Sequence, residues 1–170
     1  HYGVQPDLVC CGKGASSSVP LAFVLGSGYI LDLPSVGSMS STHSANPISC
    51  AAGLANLQAV KEGDLVQRAR EMGEIFHDEL QEIANSSPLI SSIQGRGMVA
   101  AMITDRYGGV DASEIATRIS WECMRQGLLV VHTGRESVKL APPLTITPEA
   151  LTEGLTVLKE VVDAINATNR

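Results

Sequence analysis

The sequence predicts an α/β protein, in which short strands and amphipathic helices alternate along the chain. Two observations support this prediction. Brief apolar runs such as Leu8 to Cys11 end at a glycine, which is typical of a buried strand that leads into a loop. Longer segments repeat their apolar residues every three or four positions, which is typical of helices with one buried face. Such alternation is found in α/β and α+β folds.

The composition narrows the possible classes of function. The chain has 170 residues, of which 44% are hydrophobic, and its formal net charge is −6. This is enough apolar material for a buried core. No basic run suggests a nucleic-acid surface or a membrane patch, and no apolar run reaches the roughly 18 residues that span a bilayer. We therefore expect a soluble, cytoplasmic protein whose partners are small molecules and other protein surfaces.

Each predicted helix has a recognisable start, face or stop. Asn46 and Pro47 predict the cap and first turn of a helix over residues 48–60, which Gly63 ends. A second helix starts near Leu65, a third covers residues 111–126, and the last begins at Thr147. The apolar residues of the second helix recur at three and four positions: Leu65, Ala69, Met72, Phe76, Leu80 and Ile83.

Short apolar runs predict the strands, at residues 8–11, 21–25, 90–93, 98–103, 128–131 and 138–140. A change of domain is expected near residue 63, where a loop-rich section gives way to regular patterning. The four cysteines, Cys10, Cys11, Cys50 and Cys123, are expected to be buried free thiols. Since none of them has zinc-ligand spacing, we expect no metal site.

Lys13 lies between Gly12 and Gly14, after an apolar strand and before three serines. A nucleotide-binding phosphate loop would need a glycine where Asp7 stands and Ser or Thr where Gly14 stands, so that interpretation fails. Two other interpretations of Lys13 remain open. Lys13 is either an ordinary surface lysine or a nucleophile whose neutral amine condenses with an aldehyde.

Several longer motifs are more informative about function than Lys13 alone. They run, in chain order, through residues 3–14, 20–26, 41–52, 95–98, 122–128 and 140–147. Together they resemble the class III aminotransferases, fold type I enzymes that use pyridoxal phosphate (PLP), and the resemblance covers essentially the whole chain. It implies that residues 1–62 are the C-terminal part of the large PLP-binding domain. Residues 63–170 would then be the small C-terminal α+β domain.

The resemblance also implies roles for three residues. Lys13 would hold PLP as an internal aldimine, a Schiff base, and would carry the proton in catalysis. Thr42 matches the threonine that binds the cofactor phosphate across a homodimer interface, and the helix start at Asn46 favours an anion as well. Lys139 stands where many members place an arginine that binds the substrate carboxylate, and a lysine is not equivalent to that planar fork. Arg96, between two glycines, is expected to be structural.

The implied reaction moves an amino group from an amino acid or ω-amino acid, such as 4-aminobutyrate, to a 2-oxo acid. The most similar branch contains 4-aminobutyrate transaminases and dialkylglycine decarboxylases, so a decarboxylating transaminase is an alternative. A fragment that folds or dimerises without turnover is another. The family's ring-binding aspartate, stacking aromatic and phosphate cup have no counterpart in residues 1–12. We therefore expect the chain alone to be inactive and an N-terminal part of the same protein to be its partner.

Overall fold

A computed structural model of the protein describes residues 2–168. The chain divides into two compact units, one ending at Asp64 and the other beginning at Leu65. Across residues 2–168, no helix combines the length and the apolar character needed to cross a membrane. Both units mix helices with antiparallel strands, as the alternation of sequence patterns predicts.

The first unit consists of a hairpin and a long helix. Its elements are the strands β1 (Leu8–Cys11) and β2 (Phe23–Gly26), a single 3-10 turn at Lys13–Ala15, a four-residue helix α1 (Gly28–Leu31) and the helix α2 (Pro47–Glu62). The two strands pair antiparallel, with Leu8 opposite Gly26 and Cys11 opposite Phe23. The connection between the strands therefore carries Lys13.

Local chemistry defines both ends of α2. The side-chain oxygen of Asn46 accepts hydrogen bonds from the backbone N–H of Ile48 at 3.0 Å and of Ser49 at 3.3 Å. Pro47 occupies the first turn, where the missing N–H has no consequence. At the other end Gly63 is the C-cap. The predicted cap, first-turn proline and stop are all confirmed.

The hairpin is less buried within its unit than the apolar runs suggest. Val9 is 42% exposed and Leu25 is 54% exposed. The strand at residues 8–11 is confirmed, whereas its burial is not, because only one other strand pairs with it in this unit. A two-stranded sheet buries little surface by itself. The prediction of four buried thiols is also wrong: Cys10 on β1 and Cys50 on α2 are exposed, Cys11 is intermediate, and of the four only Cys123 is buried.

The second unit is a four-stranded antiparallel sheet with three helices. In chain order its elements are α3 (Leu65–Ser86), β3 (Ile90–Arg96), β4 (Val99–Thr104), α4 (Ala112–Arg125), β5 (Val131–His132), β6 (Ser137–Leu140) and α5 (Pro148–Thr168). The strands lie in the order β3-β4-β6-β5. The last strand in sequence is therefore internal to the sheet.

The helices of this unit pack on one face of the sheet. Side chains alternate between the two faces of a strand, and those on the helix side, Ala100, Met102, Val138 and Leu140, are buried. They form one core with the apolar faces of the three helices. Its largest members are Phe76, Leu80, Leu89, Met102, Ile115, Ile119 and Leu158. The predicted helix beginning at Leu65 is confirmed, and Met72, Phe76, Leu80 and Ile83 are buried as expected.

Two strand predictions need correction. The run at residues 128–131 is mostly not a strand, since β5 contains only Val131 and His132. Leu128 instead completes the end of α4, where its N–H donates to the carbonyl of Cys123 at 2.9 Å and Gly127 adopts φ +87°. A short apolar run does not distinguish a strand from a buried coil. The run at residues 21–25 is a strand only from Phe23 onward.

Cys123, on α4, is fully buried, and this burial gives it an unusual titration. Burial, with a smaller contribution from the neighbouring Glu122 charge, raises the pKa of the Cys123 thiol to about 11 from an ordinary value near 9. The unfolded chain would lose this proton first, so it binds fewer protons than the folded chain between pH 9 and pH 11. Folding stability contributed by the neutral thiol is therefore complete below pH 9 and falls as the pH rises toward 11.

This gives a measurable outcome. In the native protein at pH 8.5 we expect iodoacetamide to leave Cys123 unmodified, because the thiol is both neutral and inaccessible. The same reagent in 8 M urea should label it fully. Peptide mapping by mass spectrometry reads both results. Rapid native labelling of Cys123 would show that α4 does not pack on the sheet as described.

Candidate functional site

Lys13 begins a single 3-10 turn directly after β1. Its backbone φ is +48°, in the left-handed region that residues with a side chain seldom adopt. The side chain is exposed, and its ammonium group has no hydrogen-bond or ion-pair partner among the described residues. Lys159, by contrast, pairs with Asp163 at 2.6 Å. The chain thus presents the Lys13 amine without a partner from a constrained turn.

The segment after Lys13 is held to α2 by one side chain. Asn56 donates from its amide nitrogen to the carbonyl oxygen of Gly14 at 2.9 Å and to that of Ala15 at 3.2 Å. Its amide oxygen accepts a hydrogen bond from the hydroxyl of Ser17 at 2.6 Å. Ser17 is itself left-handed, with φ +63°. Lys13 and Ser17 are thus two left-handed residues within a stretch of five, and the strained backbone of each costs about 1–3 kcal/mol. Hydrogen bonds such as those of Asn56 must offset this cost.

A glycine lets α2 approach this loop closely. Gly53 is the buried residue of α2, and a Cβ atom built on it would lie 2.4 Å from the Cδ2 atom of Leu21. A side chain at this position would therefore require the Leu21 side chain to move. Gly53 and Asn56 are three residues apart and so share one helix face.

Thr42 lies in a turn that precedes α2. The turn is closed by the N–H of Ser44, which donates to the carbonyl of Ser41 at 3.0 Å. The Thr42 side chain is exposed, as are all residues from 31 to 48. The expectation that the helix start also supplies donors is not met. Pro47 has no N–H, and the next two amides already bond to Asn46.

Lys139 lies in the second unit, whereas Lys13 and Thr42 lie in the first. It sits on the internal strand β6, opposite Ala101 of β4 and Val131 of β5. Because Val138 on β6 is buried against the helices, Lys139 projects from the opposite face of the sheet. It is exposed and has no ionic partner among the described residues.

Arg96 is the last residue of β3, directly before the two-residue turn to β4. A Cβ atom on Gly95 would lie 2.2 Å from the carbonyl oxygen of Val99, and one on Gly73 of α3 would lie 2.6 Å from the Cα atom of Gly97. The ring of His77 on α3 also hydrogen-bonds the carbonyl of Gly97, with Nε2 3.1 Å from the oxygen. Helix and connection therefore touch backbone to backbone, which agrees with the structural role expected of the Gly-Arg-Gly motif.

The second unit also contains a cavity that the sequence analysis did not identify. Its volume is about 260 Å³, and its walls come from α3, α5 and the segments on either side of β6. The run at residues 128–131 and the Ala141-Pro142-Pro143 motif both line it. Lys139 also contributes to the lining, and every other lining residue is apolar or glycine, so most of this space is suited to hydrocarbon. No local signal in the sequence marks it, because its walls come from segments far apart in the chain.

The described residues suit PLP in part. A lysine amine without a partner is a group of the kind that condenses with an aldehyde, and Lys13 has such an amine. An exposed hydroxyl is a suitable donor to the cofactor phosphate, and Thr42 supplies it. The amides at the start of α2 are taken, so further phosphate donors must come from elsewhere. Lys13 therefore suits the aldehyde of the cofactor, and Thr42 suits its phosphate as one of several donors.

Comparison with known proteins agrees with this chemistry. The family model described as "Aminotransferase class-III" matches residues 1–162. A 4-aminobutyrate aminotransferase of Mycobacterium leprae is 31% identical over 165 residues, covering 95% of this chain and 37% of its own length. An ornithine aminotransferase of Emericella nidulans is 33% identical, covering 94% of this chain and 35% of its own length.

A solved structure extends the agreement to the fold. The ornithine aminotransferase of Toxoplasma gondii, described with partial occupancy of PLP at its active site, superposes with a TM-score of 0.87. It is 27% identical, covering 98% of this chain and 38% of that one. The chain thus has the fold of part of a PLP-dependent transaminase and spans about a third of the length of its curated relatives. It belongs to the class III aminotransferases, a family of enzymes.

Proposed function

We propose that this chain is part of a PLP-dependent transaminase in which Lys13 is the lysine that binds the cofactor. The amino donor is an amino acid or ω-amino acid of the 4-aminobutyrate kind, and the acceptor is a 2-oxo acid. The relatives named as 4-aminobutyrate and ornithine aminotransferases support this class of donor, because both names specify substrates with an amino group distant from a carboxylate. Residues 1–62 are then the end of the large domain, and residues 63–170 are the small domain.

The conformation of Lys13 is the observation that carries this proposal. A left-handed residue other than glycine, without side-chain partners and held by a neighbouring helix, is not what an ordinary surface loop requires. Backbone strain of this kind persists where the surrounding structure fixes a functional group. The glycines on both sides leave room for a ligand to approach the backbone.

PLP, when bound, supplies an aldehyde that links to amines and a ring that accepts the electron pair of the broken bond. The chain's own residues then position and move protons. In its neutral form, the Lys13 Nζ atom takes the proton from the substrate carbon that bears the amino group. It later delivers that proton to the C4′ carbon of the cofactor.

The role proposed for Thr42 is to bind the cofactor phosphate of the neighbouring subunit in a homodimer. The turn of Thr42 precedes the start of α2, whereas the loop of Lys13 is bonded to the middle of this helix through Asn56. From the Asn46 cap to Asn56 it rises by about 15 Å, since an α-helix rises 1.5 Å per residue. That separation favours Thr42 and Lys13 acting in two different sites, each completed by a second copy of the chain.

Lys139 is proposed to attract the substrate carboxylate. It is exposed on an internal strand and has no ionic partner among the described residues, so its charge is available. An ammonium group is a single charge that cannot form the two-point contact of an arginine. The position of the donor's carboxylate is therefore less fixed than in relatives with arginine at this place, and a range of donor lengths is expected.

Covalent trapping tests the assignment of Lys13. The whole protein, loaded with PLP, is reduced with borohydride, which makes the bond between lysine and cofactor permanent, and is then digested and mapped by mass spectrometry. We expect the added mass on the peptide that contains Lys13. Lys61, Lys139 and Lys159 serve as internal controls in the same digest. Label on any of these in place of Lys13 would overturn the proposal, and so would a purified protein that binds no PLP.

A further inference from the structure

We infer that Asn56 is a positioning residue for the reaction, because it fixes the loop that presents Lys13. This inference rests on the proposed function, since it assumes that Lys13 is the reacting amine. Asn56 lies in the middle of α2, three turns after the cap, and is half-buried against the loop. It forms no hydrogen bond to Lys13 and, by this proposal, does not contact the substrate. Its effect passes through the backbone of the next residues.

The contacts of Asn56 use most of what an amide side chain can offer. Two donor bonds go to consecutive carbonyls, those of Gly14 and Ala15, and one acceptor bond comes from the hydroxyl of Ser17. Carbonyl oxygens only accept hydrogen bonds, so the nitrogen of the amide must face them and the oxygen must face Ser17. This pattern defines the side-chain orientation and joins residues that are 39 to 42 positions apart in sequence.

The held segment lies between two left-handed residues. Lys13 has φ +48° and Ser17 has φ +63°, and Asn56 binds the residues between them as well as the Ser17 hydroxyl. The N–H of Ala15 also closes the turn of Lys13 by donating to the carbonyl of Gly12 at 3.0 Å, and the bonds of Asn56 add to this in opposing relaxation toward the more common negative φ values. A change of backbone φ at Lys13 rotates the direction of its side chain. The bonds of Asn56 therefore control where the amine points.

No other side chain bonds to the carbonyls of Gly14 and Ala15 among the described residues. The remaining side-chain bonds in this loop are internal to it, from Ser16 to the carbonyl of Val19 and from Ser18 to the carbonyl of Ser16. These stabilise the shape of the serine-rich turn but do not attach it to α2. Attachment of the loop to the helix by hydrogen bonds thus depends on Asn56.

Asn56→Asp is the informative change, because the carboxylate has the same shape but cannot donate to two carbonyls. In the whole protein we expect backbone amide exchange in the peptide covering residues 13–18 to accelerate by about tenfold, measured with and without PLP. We also expect kcat to fall by about 10- to 100-fold, since misplacement of a reacting group slows chemistry. The KM for the amino donor should stay within about twofold, because this loop does not bind the donor.

Gln58→Glu is the matched control. It adds the same charge to the same helix two positions away, at an exposed side chain with no bonds among the described residues, and should leave exchange and kcat unchanged. A second variant, Ser17→Ala, removes only the acceptor bond and should accelerate exchange by a smaller factor. It tests the same contact if Asn56→Asp does not fold.

Two results would overturn the inference. Unchanged exchange in both variants would show that Asn56 does not hold the loop. Faster exchange with unchanged kcat would show that it holds the loop without positioning the reacting amine. Neither result depends on the borohydride mapping of the unaltered protein, which tests Lys13 alone. Failure of this inference is therefore distinguishable from failure of the proposed function.

Discussion

Replacing Lys13 with alanine is expected to lower kcat by about 10²- to 10⁴-fold, the range typical for loss of a positioned acid–base group. The change removes the amine to which we assign cofactor binding and proton transfer, while the turn keeps its backbone bonds to Asn56. Folding should be little affected, since Lys13 is exposed and forms no bond among the described residues. Single-turnover kinetics with an amino donor in excess measures the loss.

Two further variants make this result specific. Lys61→Ala removes an exposed lysine from the last turn of α2 and should leave the rate unchanged. Lys13→Arg keeps a positive charge at the same place but removes the nucleophile, because a guanidinium stays protonated. We expect Lys13→Arg to be as slow as Lys13→Ala. A normal rate in either Lys13 variant would mean that the charge, or another lysine, carries the reaction.

Replacing Phe76 with alanine is expected to reduce the free energy of unfolding by about 3–5 kcal/mol, the usual cost of truncating a buried phenylalanine. Phe76 is 2% exposed and packs where α3 faces the sheet and α5. It also lines the apolar cavity of about 260 Å³, so its loss enlarges a space that is already present. Because the side chains around Phe76 already border an open space, they are less able to fill the volume that the truncation leaves. Urea unfolding followed by circular dichroism gives the change.

The adjacent residue provides the control. Ile75 precedes Phe76 on the same helix and is 50% exposed, so Ile75→Ala should cost less than about 1 kcal/mol. Both substitutions place alanine in the middle of α3, and helix propensity therefore does not account for a difference between them. Equal costs for the two variants would show that α3 does not present the face described here to the core.

Short-range signals predicted the helices well. The cap of α5 is an example, because Thr147, Pro148 and Glu149 act within a single turn. In the structure the N–H of Ala150 donates to the Thr147 hydroxyl at 3.2 Å, and the helix begins at Pro148. The buried stripe of α3 was predictable for the same reason, since residues three and four apart share a helix face. Such signals need no knowledge of the rest of the fold.

The strands were harder to predict, because a strand exists only through its partners. The run at residues 128–131 has the composition of a strand, but most of it follows the stop of α4 and packs over the cavity. The predicted burial of Leu8 to Cys11 is not observed within the first unit for a similar reason. An apolar run shows that burial of a segment is favourable, but it does not show which other segments cover it.

The sequence by itself determined the helices, their apolar faces and the resemblance that singles out Lys13, Thr42 and Lys139. These follow from residue type and spacing over a few positions. Only the tertiary structure decided that β6 lies inside the sheet with Lys139 on its open face, and that Asn56 holds the loop after Lys13. An asparagine within a helix gives no local signal of such a role. Its hydrogen bonds reach residues about forty positions away, and folding alone brings them together.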